Sequence, residues 1–200
     1  MSGATPGDAA PDGELEVVRT HLELPVGPSS GDLPPVGLPD PDARVVRRDP
    51  CPVSEYRALY QAVGAAHRWR DRLAWSDATL GAWLARPEVA IWVLERAGAA
   101  GGYYELVRHA DAAAGEPTPT VEILYFGLVP ALHGRGLGRA LLEHAITESR
   151  RLGAARVVLN TCTLDGPAAL PNYLARGFRP VREERYVVAR EPAHAVPGVP

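Results

Sequence analysis

The chain of 200 residues contains no lysine and only two cysteines, Cys51 and Cys162. Two isolated cysteines without a CxxC pair or a nearby histidine cluster offer neither a disulfide framework nor a zinc site. No apolar run approaches the roughly 18 residues of a membrane span, and residues 1–16 lack the basic and apolar regions of a signal peptide. We therefore predict a cytoplasmic protein that uses no metal and binds no membrane.

Charge and composition narrow the class further. The formal net charge of −3 at pH 7 gives no indication of a nucleic-acid-binding surface. With 46% hydrophobic and 22% charged residues, the chain can bury a core, and its length suits one domain. These values predict a single folded domain with no nucleic-acid partner.

Proline and glycine divide the chain. Residues 25–42 hold six prolines and three glycines, a composition that breaks helices and central strands. We predict a flexible N-terminal tail and Pro-rich arm over residues 1–42, with an edge strand at 14–24. The folded domain is predicted to span residues 43–190, and residues 191–200 to form a C-terminal tail.

Hydrophobic periodicity predicts an α+β fold. Period-two and buried-type patterns predict strands at 43–48, 89–95, 102–107, 121–129, 156–161 and 178–188. Helical spacing and capping residues predict helices at 52–63, 77–86, 136–152 and 167–176. The order indicates a mixed, mostly antiparallel sheet flanked by helices, an α/β three-layer arrangement with one β-α-β crossover.

A glycine-rich turn between strand and helix carries the strongest functional signal. The strand at 121–129 leads into His133-Gly134-Arg135-Gly136-Leu137-Gly138, where a helix opens. The free N–H groups and positive dipole end of a helix start bind anions, and glycine lets a phosphate approach the backbone. Arg135 and Arg139 can add charged donors. The turn predicts a phosphate site, against the plainer interpretation of a connecting turn.

Three kinds of phosphate site compete for this turn. A P-loop needs Lys and Ser or Thr after its last glycine, where this chain has Arg139 and Ala140. A dinucleotide fingerprint beginning at Gly134 needs glycine at 139 and an acidic residue about twenty positions further on, and residues 157–160 supply none. The diphosphate of coenzyme A is the remaining candidate.

Two motifs in this region resemble the GNAT N-acetyltransferase superfamily. Gly136 and Gly138 match the family signature Gln/Arg-x-x-Gly-x-Gly/Ala, with His133 where Gln or Arg is commoner. The segment Tyr173 to Phe178 is similar to the family's Tyr-x-x-x-Gly-Phe, and the order of elements fits from about 43 to 188. Residues 69–75, 125–128 and 161–165 resemble a bacterial GNAT subfamily without an assigned substrate.

The resemblance implies the GNAT acyl-CoA N-acyltransferase fold and direct transfer of an acetyl, or short acyl, group from acetyl-CoA to a primary amine. A backbone N–H near Leu128 or Val129 would polarise the thioester, with Gly127 marking a bulge. Tyr173 is the candidate acid for the departing thiolate, against the interpretation of a core tyrosine; Pro171 would kink its helix. Glu122 is the candidate base, and Glu105 is the other candidate. The plainer interpretation of Glu122 is a solvent-facing residue at the end of a strand.

The acceptor side is less specific. Trp69, Arg72 and Trp75 fall in the connection between the first two predicted helices, which lines the acceptor site in many GNAT members, and packing is an equally good explanation. A small-molecule or peptide amine fits this class. A non-catalytic acyl-CoA sensor and a partner-binding protein using the Pro-rich arm remain alternatives. The sequence leaves the acceptor, the acyl chain and the oligomeric state open, a homodimer included.

Overall fold

Seven strands and four α-helices make up the regular structure of residues 13–27, 33–109 and 118–189, which the computed structural model describes. The strands are β1 Glu14–Pro25, β2 Ala43–Arg48, β3 Val89–Arg96, β4 Ala99–His109, β5 Thr120–Leu128, β6 Arg156–Cys162 and β7 Arg179–Ala189. The helices are α1 Val53–Gly64, α2 Asp77–Leu84, α3 Leu137–Arg151 and α4 Ala169–Leu174, with short 3₁₀ turns at Ala65–His67 and Pro130–Leu132. The α+β prediction is confirmed.

One mixed sheet organises these elements, in the order β2-β3-β4-β5-β6-β1-β7. Its neighbouring strands are antiparallel except β5 and β6, which the α3 crossover makes parallel. Helix α3 packs its apolar stripe on one face, and α1 and α2 cover the β3–β5 part of the other. The domain therefore has three layers, with the sheet between α3 on one side and α1 and α2 on the other. The predicted β-α-β crossover is confirmed.

The helix ends follow the signals in the sequence. The Ser76 side chain accepts a hydrogen bond from the amide of Thr79 at 3.1 Å and so caps α2. Gly153, with φ of 83°, lies just beyond the end of α3 in a conformation that glycine adopts without strain. None of the helices in the described ranges combines the length and apolar character that crossing a membrane requires.

The N-terminal strand is where the sequence prediction is wrong. The segment predicted as an edge strand within a flexible arm is β1, and it lies inside the sheet between β6 and β7. Arg19 is paired with Cys162 on one side and Glu184 on the other, and Val17 and Leu22 are almost completely buried. Periodicity identifies a strand but not its neighbours. The folded domain therefore includes residues 14–25, and the predicted tails at 1–12 and 191–200 lie outside the described residues.

The described part of the Pro-rich arm runs along α3. Near the end of that helix, Arg151 donates a hydrogen bond to the carbonyl of Leu33 at 2.9 Å. Asp40 accepts from Arg96 at 2.7 Å, and the ring of Pro39 would lie 3.5 Å from a Cβ placed on Gly136. Residues 33–38 have no regular structure, as the proline content predicts, and hydrogen bonds at Leu33 and Asp40 connect this part of the arm to the domain.

Strands β5 and β6 diverge, and this divergence makes room for a site. Their pairing covers only Thr120 to Glu122 on β5, after which the two strands separate. The register of β4 against β5 shifts so that Leu124 is the extra residue. The bulge predicted at Gly127 therefore lies at Leu124. Gly127 is small for another reason: a Cβ there would lie 2.5 Å from the Val63 side chain on α1.

Candidate active site

A cleft of about 950 Å³ opens where β5 and β6 separate. It is bounded by the second half of β5, the end of β6, the turn before α3, and α4. On the α1 and α2 face of the sheet it continues to residues 67–71, β1 and β7. Its size is that of a pocket for a small molecule or cofactor, and it connects the glycine-rich turn with the opposite face of the sheet.

The glycine-rich turn has the geometry of an anion site. Gly134 and Gly136 have φ of 72° and 75°, a left-handed conformation that suits glycine. Gly136 is the N-cap of α3, and no side chain caps this helix end. The amides of Leu137, Gly138 and Arg139 therefore have no partner within the helix. These donors and the helix dipole can bind the diphosphate of a nucleotide cofactor.

The fold does not require glycine at position 138. Its backbone is not in the left-handed region, and a Cβ there would lie 3.6 Å from the Leu128 side chain, an ordinary contact. Gly138 nevertheless lines the cleft. The missing side chain leaves the backbone at this helix start open to the cleft, so a ligand there could approach it closely.

One backbone amide at the end of β5 faces the cleft. The amide of Val129 donates to the carbonyl of Gly101 on β4 at 2.9 Å. Because N–H groups of an extended strand alternate in direction, the amide and carbonyl of Leu128 point away from β4. Nε2 of His133 lies 3.0 Å from the Leu128 carbonyl oxygen. Of the two predicted carbonyl-polarising donors, Leu128 alone has the right orientation.

Tyr173 lines the cleft from α4, with 6% of its surface exposed. Its ring lies between Phe126 and Phe178, at centroid distances of 6.1 and 6.0 Å. Burial raises the pKa of Tyr173 above its ordinary value, so the phenol is protonated at neutral pH. Pro171 lies in the first turn of α4, where the missing N–H has no helical partner to lose.

The two predicted bases do not line this cleft. Glu122 lies 2.8 Å from Nε2 of His109 and borders a separate, smaller depression beside Arg156. Glu105 is completely buried on β4 beneath α1 and α2. Burial raises the pKa of Glu105, opposed by its hydrogen bond from Tyr56. Their roles as bases stay predictions without a described path to the cleft.

A buried cluster around Glu105 holds the α1–α2 connection on the sheet. The carboxylate accepts from Tyr56 at 2.6 Å, from the Trp83 indole at 2.7 Å and from Arg72 at 3.3 Å. The Arg72 guanidinium stacks on Trp75, 3.9 Å from the ring centroid. Arg72 and Trp75 therefore belong to this packed cluster and do not line the cleft, as the packing interpretation of these residues predicts. The cluster fixes the position of the α1–α2 connection.

The remaining predicted residues divide between cleft and core. Those lining the cleft are Trp69, Leu128, His133, Gly134, Gly136, Gly138, Arg139 and Tyr173. Leu137 is buried in the core, and neither Arg135 nor Val129 lines the cleft. Further lining residues that the sequence did not single out include Arg19, Arg68, Asp71 and Tyr186. Within the described ranges, no group of three or more His, Cys, Asp or Glu side chains is arranged to hold a metal ion.

A comparison with known protein families agrees with this fold and site. The model of the acetyltransferase (GNAT) family matches residues 56–178. The chain belongs to the GNAT acetyltransferase family. It is therefore an acyltransferase, and residues from both of the motifs that resemble this family in the sequence line the cleft between β5 and β6. No curated protein matches the chain.

Solved structures share the fold at low sequence identity. An aminoglycoside acetyltransferase from an uncultured soil metagenomic sample, solved with trehalose, has a TM-score of 0.59 and 14% identity over 69% of this chain and 89% of that chain. A GCN5-related N-acetyltransferase from Kribbella flavida has a TM-score of 0.55 and 16% identity over 91% and 62%. Aminoglycoside N-acetyltransferase AAC(6')-Iy, in complex with CoA, has a TM-score of 0.50 and 18% identity over 75% and 93%. At these identities the likeness shows the fold.

Proposed function

We propose that this GNAT protein transfers an acetyl, or another short acyl, group from acetyl-CoA directly to a primary amine. The observation that carries the proposal is the uncapped start of α3, with left-handed Gly134 and Gly136, opening into the cleft that Tyr173 lines. A phosphate site and a proton donor thus share one cavity. The solved CoA complex of a structural relative supports this choice of cofactor.

The cofactor is proposed to bind along β5. Its diphosphate would contact the free amides of the first turn of α3, with Arg139 adjacent. From Ile123 onward, the edge of β5 has no pairing with β6, so backbone groups can bind the amides of a pantetheine arm. The Leu128 amide would then hydrogen-bond the thioester oxygen and stabilise negative charge as it develops there.

Residues that line this cleft can carry out the proton transfers of the proposed acyl transfer. The neutral amine attacks the thioester carbon, the carbon–sulfur bond breaks, and the sulfur leaves with the electron pair. Tyr173 donates a proton to that sulfur and regains one from solvent. The amine loses its proton to a carboxylate, directly or through water, and Asp71 lines the cleft whereas Glu122 and Glu105 do not. We therefore favour Asp71 over both as the base.

Calorimetric titration of acetyl-CoA into the protein tests the cofactor and its site. Gly136→Asp places a carboxylate where the diphosphate would bind and should abolish measurable binding. Gly153→Asp is the matched control, because Gly153 has a similar φ at the far end of α3, outside the cleft. The proposal requires that the parent and the control bind and the Gly136 variant does not. No binding by the parent overturns it.

Turnover tests the chemistry separately. Tyr173→Phe removes one oxygen and should lower kcat about a hundredfold or more, within the range of a lost proton donor, at unchanged acetyl-CoA affinity. Asp71→Asn should lower kcat more than Glu122→Gln does, because only Asp71 lines the cleft. Tight binding of acetyl-CoA with no transfer to any amine would identify the non-catalytic alternative. Two of the structural relatives are aminoglycoside acetyltransferases, so polycationic amines belong in the panel.

A further inference from the structure

Two arginines are central to the part of the cleft on the α1 and α2 face, which Arg70 also lines, and the proposed chemistry uses neither of the two. They are Arg19, from β1, and Arg68, from the turn after α1. We infer that they bind an anionic group of the acceptor, so that the substrate is an amine that also bears a carboxylate or phosphate. This inference rests on the proposed function and specifies its acceptor.

Arg19 is held by uncharged groups. On β1, Leu22 packs into the α3 core, so Arg19, three residues earlier, points to the opposite face. Its Nη2 donates to the Tyr186 hydroxyl at 3.3 Å, and its guanidinium carbon lies 5.0 Å from the centroid of that ring. Its Nε is buried and has no hydrogen-bond partner in the described ranges. A guanidinium has five N–H donors, which one hydroxyl cannot satisfy, so an anion in the cleft can bind those donors of Arg19 that face it.

The nearest acidic cross-strand neighbour of Arg19 does not neutralise it. Glu184 is opposite Arg19 in the sheet register. Its carboxylate is 3.4 Å from Nε2 of His21 and 2.5 Å from Nη2 of Arg182. The Glu184 carboxylate thus contacts these two groups, and the charge of Arg19 faces the cleft.

Arg68 has an unusual backbone. Its φ of 56° is left-handed, a conformation that residues with a Cβ seldom adopt. Its Nη1 donates to the carbonyl of Ala189 at 3.4 Å, a contact with a neutral group on β7. Arg68 ends the 3₁₀ turn Ala65–His67, a position where a left-handed residue commonly terminates a helix. Here it holds a guanidinium at the wall of the cleft, on the same face as Arg19.

The carboxylates of the cleft complete a charge pattern. Asp165 accepts hydrogen bonds from the Thr161 hydroxyl at 2.6 Å and from the Cys162 amide at 2.9 Å, and these bonds stabilise the turn after β6. Asp71 accepts only from the Tyr125 hydroxyl, at 3.2 Å, within the described ranges. Asp71 can therefore receive an ammonium group while Arg19 and Arg68 receive an anion. A substrate with both charges fits this arrangement, whereas a polycation would meet the two arginines.

Matched pairs of acceptors test the inference at saturating acetyl-CoA. β-Alanine is compared with β-alaninamide and phosphoethanolamine with ethanolamine, and spermine and tobramycin represent polycations. We expect kcat/KM to be at least about tenfold higher for the acidic member of one pair, the effect of one charged hydrogen bond. The first pair reports a carboxylate site and the second a phosphate site. Preference for the neutral members or the polycations, or no turnover of either acidic member, overturns the inference.

Substitution of the two arginines tests whether they cause the preference for an acidic amine. Arg19→Gln and Arg68→Gly should raise KM for the preferred acidic amine about ten- to a hundredfold, with little change in kcat, because the contact is already made in the ground state. Glycine at 68 keeps the left-handed backbone. Arg179→Gln, an exposed charge outside the cleft, is the control. Equal losses for the acidic amine and its neutral partner would overturn the inference.

Calorimetry keeps the two proposals distinguishable. The arginines lie on the face of the sheet opposite α3, so their variants should bind acetyl-CoA as the parent does. If the parent binds acetyl-CoA and acetylates only neutral or cationic amines, the acceptor inference fails and the proposed function stands. If the parent does not bind acetyl-CoA, the proposed function fails as well.

Discussion

The amide nitrogen of Val129 lies 2.9 Å from the carbonyl oxygen of Gly101. This hydrogen bond closes the ladder between β4 and β5 and fixes the rotation of the residue before it. The Leu128 amide and carbonyl consequently point toward the cleft, where the carbonyl accepts from His133 at 3.0 Å. One strand end thus places an amide donor and the start of the glycine-rich turn next to each other.

His133 is predicted to hold this turn in its binding conformation. Since a carbonyl oxygen only accepts, Nε2 of His133 carries the hydrogen in the contact with Leu128. We expect His133→Ala to raise the Kd for acetyl-CoA about five- to tenfold, the effect of one neutral hydrogen bond. Calorimetry measures it, with His21→Ala, which lies outside the cleft, as the control. Equal affinities of parent and His133→Ala would contradict the role.

The two glycines that bracket Leu137 are predicted to respond in opposite ways to alanine. Gly136→Ala should cost about 1–2 kcal/mol of unfolding free energy, because its φ is left-handed. Gly138→Ala should leave stability unchanged or raise it by up to about 1 kcal/mol, since alanine favours a helix. Its new Cβ enters the cleft, so acetyl-CoA binding should weaken. Thermal unfolding and calorimetry on both variants measure the contrast.

A stable Gly138→Ala variant that still binds acetyl-CoA as tightly as the parent would contradict the close approach of the diphosphate to this backbone. A Gly138→Ala variant that unfolds would contradict the ordinary 3.6 Å contact with Leu128. The two measurements therefore separate a ligand requirement from a folding requirement at positions two residues apart.

Sequence patterns predicted elements well and their arrangement less well. Strand β2 begins and ends where the pattern predicts, and Ser76 and Gly153 mark the ends of two helices. These features are local, because periodicity and capping act within a few residues. The place of β1 between β6 and β7 is not local. It depends on pairing between strands that are more than 100 residues apart in the sequence, and a period-two pattern does not identify the partner strand.

The same distinction applies to the site. The glycine-rich turn occupies contiguous residues, so its glycines and helix start are visible in the sequence. Tyr173 belongs to a short motif and lines the same cleft. The part of the cleft that we propose for the acceptor is assembled from β1, the α1–α2 connection and β7, and Arg19 lines it because β1 is inside the sheet. Glu122 was an attractive base on position alone, but its side chain contacts His109.

Glu105 is predicted to support the fold of the α1–α2 connection rather than catalysis. Glu105→Ala would leave the buried guanidinium of Arg72 without its carboxylate, which in proteins costs about 3–5 kcal/mol. Urea unfolding measures the loss. The double variant Glu105→Ala/Arg72→Ala should cost less than the sum of the two single variants, because the buried charge is removed as well. Strict additivity would contradict the pairing.

The ion pairs of Glu95 predict a pH dependence of stability. Hydrogen bonds from Arg48 and Arg44 hold the pKa of Glu95 below its ordinary value. A lowered pKa in the folded state stabilises the protein at pH values above the unfolded pKa of about 4.3. That contribution is lost as the pH falls through this value toward the folded pKa. Removing the carboxylate should therefore matter most near neutrality.

Glu95→Gln measures this contribution. The difference in unfolding free energy between the parent and Glu95→Gln should be largest at about pH 7 and shrink at about pH 3.5, where the parent carboxylate is protonated in the unfolded chain. Urea unfolding at the two pH values gives the difference. Glu183→Gln, an exposed residue of β7, is the control. A difference that grows as the pH falls would contradict the lowered pKa.

Deletion of β1 is predicted to destroy the domain. A chain beginning at residue 28 loses the strand that β6 and β7 both pair with, together with the buried side chains of Val17 and Leu22. Two strand edges and the core beneath them would become exposed, so we expect an insoluble or unfolded product by circular dichroism. A chain beginning at Gly13 keeps every described strand and should fold. If the shorter chain folds and binds acetyl-CoA as the parent does, β1 is an accessory strand, and Arg19 cannot belong to an essential acceptor site.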